Sequence, residues 1–180
     1  MSNQTVYYSA PRRLLHWIVA VLLIAGLVAV ESHEIFPKEN PLRGGLVSLH
    51  FQVGLLVFLL VWPRLALALS GSKPPVNPPL VPWQATLSTL THVLLYAAMV
   101  VMPVLGLLAV QMNGNPVTLL GWELPAFTGV DKDLSRTIRG IHETIGNVVI
   151  GLLVLHIAAA VWHHRFLKDD TMVRMLPPKK

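Results

Sequence analysis

The chain has 180 residues, of which 53% are hydrophobic and only 13% charged, where an average soluble domain carries about 25% charged residues. That balance, with a mean hydropathy of +0.58, predicts one all-α integral membrane domain and excludes an ordinary water-soluble enzyme. The formal charge of +5 does not indicate a nucleic-acid partner, because the basic residues sit at the ends of apolar runs, and the lack of cysteine excludes disulfides, thiolate metal sites, iron–sulfur clusters and covalently attached haem.

Residues 1–11 read as a short extended tail. Arg12 and Arg13 then precede the apolar run Leu14–Val30, interrupted by His16. It is too long for the apolar core of a cleavable signal and ends in an acidic loop, so it reads as a first span over about 13–31. Residues 31–45 are polar and turn-rich. A second span covers about 45–69, with His50 near its start and Pro63 and Arg64 near its end. Proline at that point is expected to kink the helix. A connection with five prolines between Ser70 and Pro82 follows, and Trp83 stands where an interfacial anchor would.

The third span, about 86–112, carries His92 in its first turns and Pro103 near its middle. The connection after it contains Asn113-Gly114-Asn115-Pro116, a turn signal, and charges of both signs. The fourth span, about 138–166, holds His142 and His156, 14 residues apart. In a helix that spacing is roughly 21 Å along the axis and about 40° around it, so both imidazoles face one side at two depths. Neither an internal repeat nor a low-complexity tract beyond the proline-rich connection is present.

Four spans put both termini on one side. With the tails and the second-to-third connection inside, the inner side has nine Lys/Arg and the outer side five. The positive-inside bias therefore predicts a multi-pass bacterial inner-membrane protein with both ends cytoplasmic. That topology puts His50 and His142 together near the outer face and His16 and His156 together near the inner face. An intramembrane histidine can instead bond a backbone carbonyl or line a polar cavity, but ionisable groups in spans are costly and usually functional. Zinc needs three or four protein ligands, and two imidazoles per level do not supply them. A b-type haem needs two, and bis-histidine ligation suits electron transfer rather than oxygen chemistry at iron. Two haem b groups are thus expected, with these four histidines as metal ligands.

Other side chains have two readings each. Gly26, Gly54, Gly106, Gly146 and Gly151 permit close helix approach or make room for a flat macrocycle. Arg136 and Arg139, six and three residues before His142, either steer an anionic substrate as catalytic-site residues or pair with haem propionates. His92, His163 and His164 fall toward the inner side with Arg64. They are candidates for contact with a quinone, which takes up protons with its electrons, although a histidine pair at a helix end also satisfies the dipole.

Taken with the sequence elements Leu14-Leu15-His16-Trp17, Ser48-Leu49-His50, Thr91-His92-Val93-Leu94-Leu95-Tyr96, Ile141-His142-Glu143-Thr144, the run from Leu155 to His164 and the closing stretch 168–179, the chain resembles the bacterial di-haem cytochrome b561 proteins, which include superoxide oxidases. The resemblance covers nearly the whole sequence. It implies a four-helix bundle with two b haems on His16, His50, His142 and His156, and a quinone on the inner side. In the superoxide oxidase branch, electrons pass from superoxide outside to ubiquinone. Related cytochromes instead relay electrons for a partner dehydrogenase, and the outer connections here hold six acids against five Lys/Arg, which leaves the donor open. A non-redox alternative is a small transporter using the histidines as a proton relay.

Overall fold

The computed structural model describes residues 7–71 and 73–178. It consists of four long helices, α1 (Ala10–Ser32), α2 (Pro41–Ser70), α3 (Pro82–Met112) and α4 (Lys132–Trp162), with a two-stranded hairpin β1 (Thr118–Leu119) and β2 (Trp122–Glu123) between α3 and α4. All four helices are long and apolar enough to cross a membrane. Residues 1–6 of the expected tail, and Lys179 and Lys180 from the inner-side charge count, lie outside the described residues.

Helix starts are set by local chemistry upstream of the apolar runs. Asn40 accepts a hydrogen bond from Leu42 N (3.0 Å) with Pro41 at the first helical position, so α2 begins within the stretch expected to be loop. Asp131 accepts from the backbone N–H groups of Asp133 (3.1 Å) and Leu134 (3.0 Å), starting α4 well before its apolar run. At the amino terminus α1 is already helical at Ala10. Both Pro63 and Pro103 lie inside continuous helix. Lipid-facing helices have no water to satisfy freed carbonyls, so the backbone stays helical through proline where neighbouring turns can adjust.

α1 packs on α2, α3 packs on α4, and α2 joins the two pairs through α3. A small core of Val19, Val53, Val57, Val61 and Met99 lies where the first three helices meet. α4 approaches only α3 closely among the long helices, and Ser135, whose hydroxyl donates to Ala109 O (2.6 Å), is its one buried residue among those described.

The bundle has two distinct ends. At the termini end, Tyr8 N donates to Arg174 O (3.2 Å), Trp17 Nε1 to Met175 O (2.8 Å), and Asn77 N to Asp170 Oδ1 (2.9 Å), tying together both chain ends and the proline-rich connection. At the loop end, Gln52 clasps the hairpin by donating to Thr118 O (2.6 Å) and accepting from Leu120 N (2.8 Å). Buried Gln111 likewise holds Pro125 O (2.8 Å) and Phe127 N (3.0 Å). The hairpin turns on Leu120 and Gly121, both left-handed (φ 51° and 88°), the pattern a two-residue hairpin loop requires.

Candidate functional site: two levels of paired imidazoles

On α4, His142, Gly146, Val149, Leu153 and His156 recur at steps of four, three, four and three. They form one helical face, with exposed Val148, Val154 and Leu155 on the other sides. That face is turned toward α1 and α2, whose backbones it does not closely approach. The histidine pairs bridge this separation. His50 of α2 and His142 of α4 have ring centroids 6.1 Å apart with planes at 89°, and His16 of α1 and His156 of α4 are 6.5 Å apart at 63°.

These distances bear on what each pair can hold. An imidazole nitrogen sits about 2 Å from a bound transition metal, and the ring centroid about 1 Å further, so two opposed imidazoles on one metal have centroids roughly 6 Å apart. Both pairs meet that separation, and neither is stacked face to face. Among the described residues no group of three or more His, Cys, Asp or Glu is placed to hold a metal ion, so the donors converge in twos.

At the loop-end level the tautomers are also set. His50 Nδ1 lies 3.0 Å from Gly26 O and His142 Nδ1 lies 3.1 Å from Met102 O. A carbonyl only accepts, so both Nδ1 atoms carry the proton and both Nε2 atoms present lone pairs, as a ligating histidine requires. Glycine makes this approach possible. A Cβ on Gly106 would stand 3.3 Å from His142 Cε1, and one on Gly26 only 2.9 Å from Val53 Cγ1 and 4.0 Å from His50 Nδ1. Between the rings runs an apolar cavity lined by His50, His142, Gly26, Gly54, Gly106 and Gly146 with aliphatic side chains. A flat apolar macrocycle with two axial nitrogens suits this level.

The termini-end level is more crowded. Arg64 of α2 donates through NH2 to His16 Nδ1 (2.9 Å), with Met99 Sδ at 3.8 Å and its guanidinium carbon 5.3 Å from the Tyr96 ring centroid. His92 of α3 bonds the carbonyl of Ser88, and its ring lies 5.4 Å from that of His156, nearer than His16 does. Three imidazoles and a guanidinium thus meet here. The pair spacing fits a shared metal, but Nε2 of His16 is a ligand only when Nδ1 carries the proton, so Arg64 and a metal compete for this ring. The height of these groups was legible in the sequence. The Arg64–His16 bond was not, because it depends on the rotation of α2 against α1.

The remaining candidates are not brought into either level. Arg136 pairs with Asp133, and Arg139 Nε donates to Glu143 Oε1 (2.8 Å), each within α4 and largely exposed. His163 is bonded to Asp169, and His164 lines a polar cleft with Lys168. A buried cluster of Asp169, Asp170 and Arg174 lies in the closing stretch, which the sequence offers only as part of the family resemblance. The signal for the Asp170–Arg174 pair was its four-residue step.

The model of a family described as prokaryotic cytochrome b561 matches residues 7–178. Cytochrome b561 homolog 1 of Escherichia coli (strain K12) is 30% identical over 173 residues, covering 96% of this chain and 98% of the relative. A probable superoxide oxidase CybB of Yersinia pestis is 27% identical over 173 residues (96% and 97%), and cytochrome b561 homolog 2 of E. coli (strain K12) is 24% identical over 183 residues (97% and 94%). With four span-length apolar helices in the bundle, the chain belongs to the prokaryotic cytochrome b561 family, haem b electron carriers of the bacterial inner membrane.

Proposed function

We propose that this chain is a di-haem b oxidoreductase that takes electrons from superoxide at the loop end and delivers them to ubiquinone at the termini end, with the termini end in the cytoplasm. The observation that carries the reading is the presence of two opposed imidazole pairs, with centroids 6.1 and 6.5 Å apart, at two heights of one apolar bundle. His50 and His142 would hold one haem, and His16 and His156 the other. When bound, each haem would supply a one-electron iron couple, and two histidines at each level would suit it to electron transfer rather than to oxygen chemistry.

The chain's own groups do the rest. His50 and His142 are oriented by backbone carbonyls, which keeps them basic and fixes their ring planes. Arg136 and Arg139 attract an anion to the loop end over a short range only, because each is already paired to a carboxylate. Arg64 sets positive charge beside the termini-end pair, and His92, His163 and His164 lie on the side where quinone must gain protons. Two superoxide ions give one electron each and leave as oxygen, while ubiquinone takes two electrons and two protons to become quinol. The named activity of the Yersinia relative supports the donor.

A second reading is a relay subunit fed by a peripheral redox partner. The exposed Leu120, Trp122 and Phe127 of the loop-end strap favour it. Adding superoxide to the purified lone chain with ubiquinone separates the two. Haem reduction followed by quinol formation is the expected result. Haems that stay oxidised while superoxide dismutates spontaneously would remove the superoxide assignment, and co-purification with a peripheral redox subunit would install the relay.

A further inference from the structure

Beyond α4, the chain makes a π-type turn, His163–Leu167, and reverses through Lys168 in the left-handed region (φ 54°). The reversal returns Asp169 onto His163 twice. Asp169 N donates to His163 O (3.3 Å), and the Asp169 carboxylate accepts from His163 Nδ1. The two side chains are 15% and 3% exposed. The other Asp169 oxygen accepts from Thr171 N (2.9 Å), so the carboxylate is fixed from both sides.

Next to this pair lies a second ionic unit with a different character. Asp170 accepts from Asn77 N (2.9 Å) and faces Arg174 Nε at 3.4 Å, while Arg174 also donates to Pro74 O and lies over the Tyr8 ring. Asp170 and Arg174 join the tail, the proline-rich connection and the amino-terminal segment, which accounts for their burial. Among the described residues, no hydrogen bond or ion pair ties Asp169 or His163 to a distant segment. Both lie within one turn of chain, so a clamp does not explain why an acid and an imidazole are buried together there.

Position supplies a reason. His163 comes seven residues after His156, about 20° away around the helix and roughly 10 Å further along it, so it continues the ligand face toward the termini end. A polar cleft lined by Asn77, Pro78, His164, Lys168, Asp169 and Asp170 lies beside the pair. The charged and titratable groups around the pair are Asp170, Lys168, His164 and Arg174.

We infer that Asp169 is a positioning residue that holds His163 as the proton donor to quinone, with the polar cleft as the water-side supply. The inference rests on the quinone reading above and names the residue that makes its proton step work. The Asp169 carboxyl lies below its ordinary range: burial raises it, but the bonds from His163 and Thr171 outweigh burial. It therefore stays anionic near neutrality and holds a proton on His163 Nδ1, so the proton passed to quinone is the one on Nε2. As electrons reach quinone, the Nε2–H bond of the imidazolium breaks and an O–H bond forms on the quinone oxygen. The neutral ring then regains a proton from cleft water.

The test uses haem-loaded protein reduced with dithionite and mixed with short-tail ubiquinone, with haem reoxidation followed by stopped-flow between about pH 5 and pH 8. Asp169→Asn should slow reoxidation at neutral pH by at least about tenfold, leave the quinone KM unchanged, and move the alkaline limb to lower pH. Asp169→Glu should restore the wild-type profile. Asp170→Asn should lower thermal stability without moving the limb. An Asp169→Asn profile superimposable on wild type overturns the inference, and so does the same shift from Asp170→Asn. Should Asp169→Asn fail to retain haem, the wild-type protein decides: reoxidation without a solvent deuterium isotope effect or pH limb also overturns it. If wild-type reduced haem is not oxidised by ubiquinone at all, the quinone reading falls first.

Discussion

The two histidine levels use the same side chain and nearly the same ring separation, yet they are built differently. At the loop end, two Nδ1–H groups point at carbonyls on neighbouring helices, glycine stands where a side chain would collide, and the space between is apolar. At the termini end, a guanidinium touches one ring and a third imidazole stands beside the other. Carbonyl acceptors make an imidazole more electron-donating and favour oxidised iron, whereas a nearby positive charge favours reduced iron. In the proposed di-haem reading this difference would set the direction of electron flow, from the loop-end level to the termini-end level.

The largest effect that breaks the comparison is loss of one level. His142→Ala should remove the loop-end haem and leave the other, and His156→Ala should do the reverse, each reducing the haem-to-protein ratio by half. Loss of the same spectral component in both variants would show that the pairing is wrong. Next in size, Arg64→Met removes the charge beside His16. The higher-potential haem should fall by about 60 mV or more, a tenfold change for a one-electron couple, while the lower-potential haem stays put. Redox titration followed in the visible bands reads both values at once.

Smaller effects sharpen the loop-end half alone. Gly26→Ala places a methyl 2.9 Å from Val53 Cγ1, and should cost about 1–3 kcal/mol in thermal unfolding. Val53→Ala should recover part of that in the double variant. If Gly26→Ala is neutral, α1 and α2 are not as tightly apposed as described. Smallest of all, Gln52→Ala releases the hairpin and should cost about 1 kcal/mol. It should raise proteolysis within residues 113–131 and leave the termini-end haem spectrum untouched.

Most of the fold was legible because lipid imposes it: four apolar runs of spanning length can only be helices, and short polar connections can only make them antiparallel. The pairing of His50 with His142 and of His16 with His156 followed from height alone, since the four-span topology puts each pair at one depth whether its helices run parallel, as α2 and α4 do, or antiparallel, as α1 and α4 do. What height does not give is azimuth. His92 was placed at the inner side, but its approach to the His156 ring depends on how α3 turns, and the apolar pattern is nearly uniform around a lipid-facing helix. The closing stretch was missed for another reason. Nothing in the pattern of Lys168, Asp169, Asp170 and Arg174 marks burial; the left-handed Lys168 and the π-type turn bring the two carboxylates inward. The hairpin at Leu120 and Gly121 was hidden because leucine is a poor turn signal, held here by Gln52 from another helix.

The most direct test of the paired-imidazole account is the haem b stoichiometry of the purified wild-type chain, with the ferric spin state of each centre. The account predicts two haems per chain, both six-coordinate and low-spin. One haem per chain, or a high-spin centre with an open axial position, would contradict it.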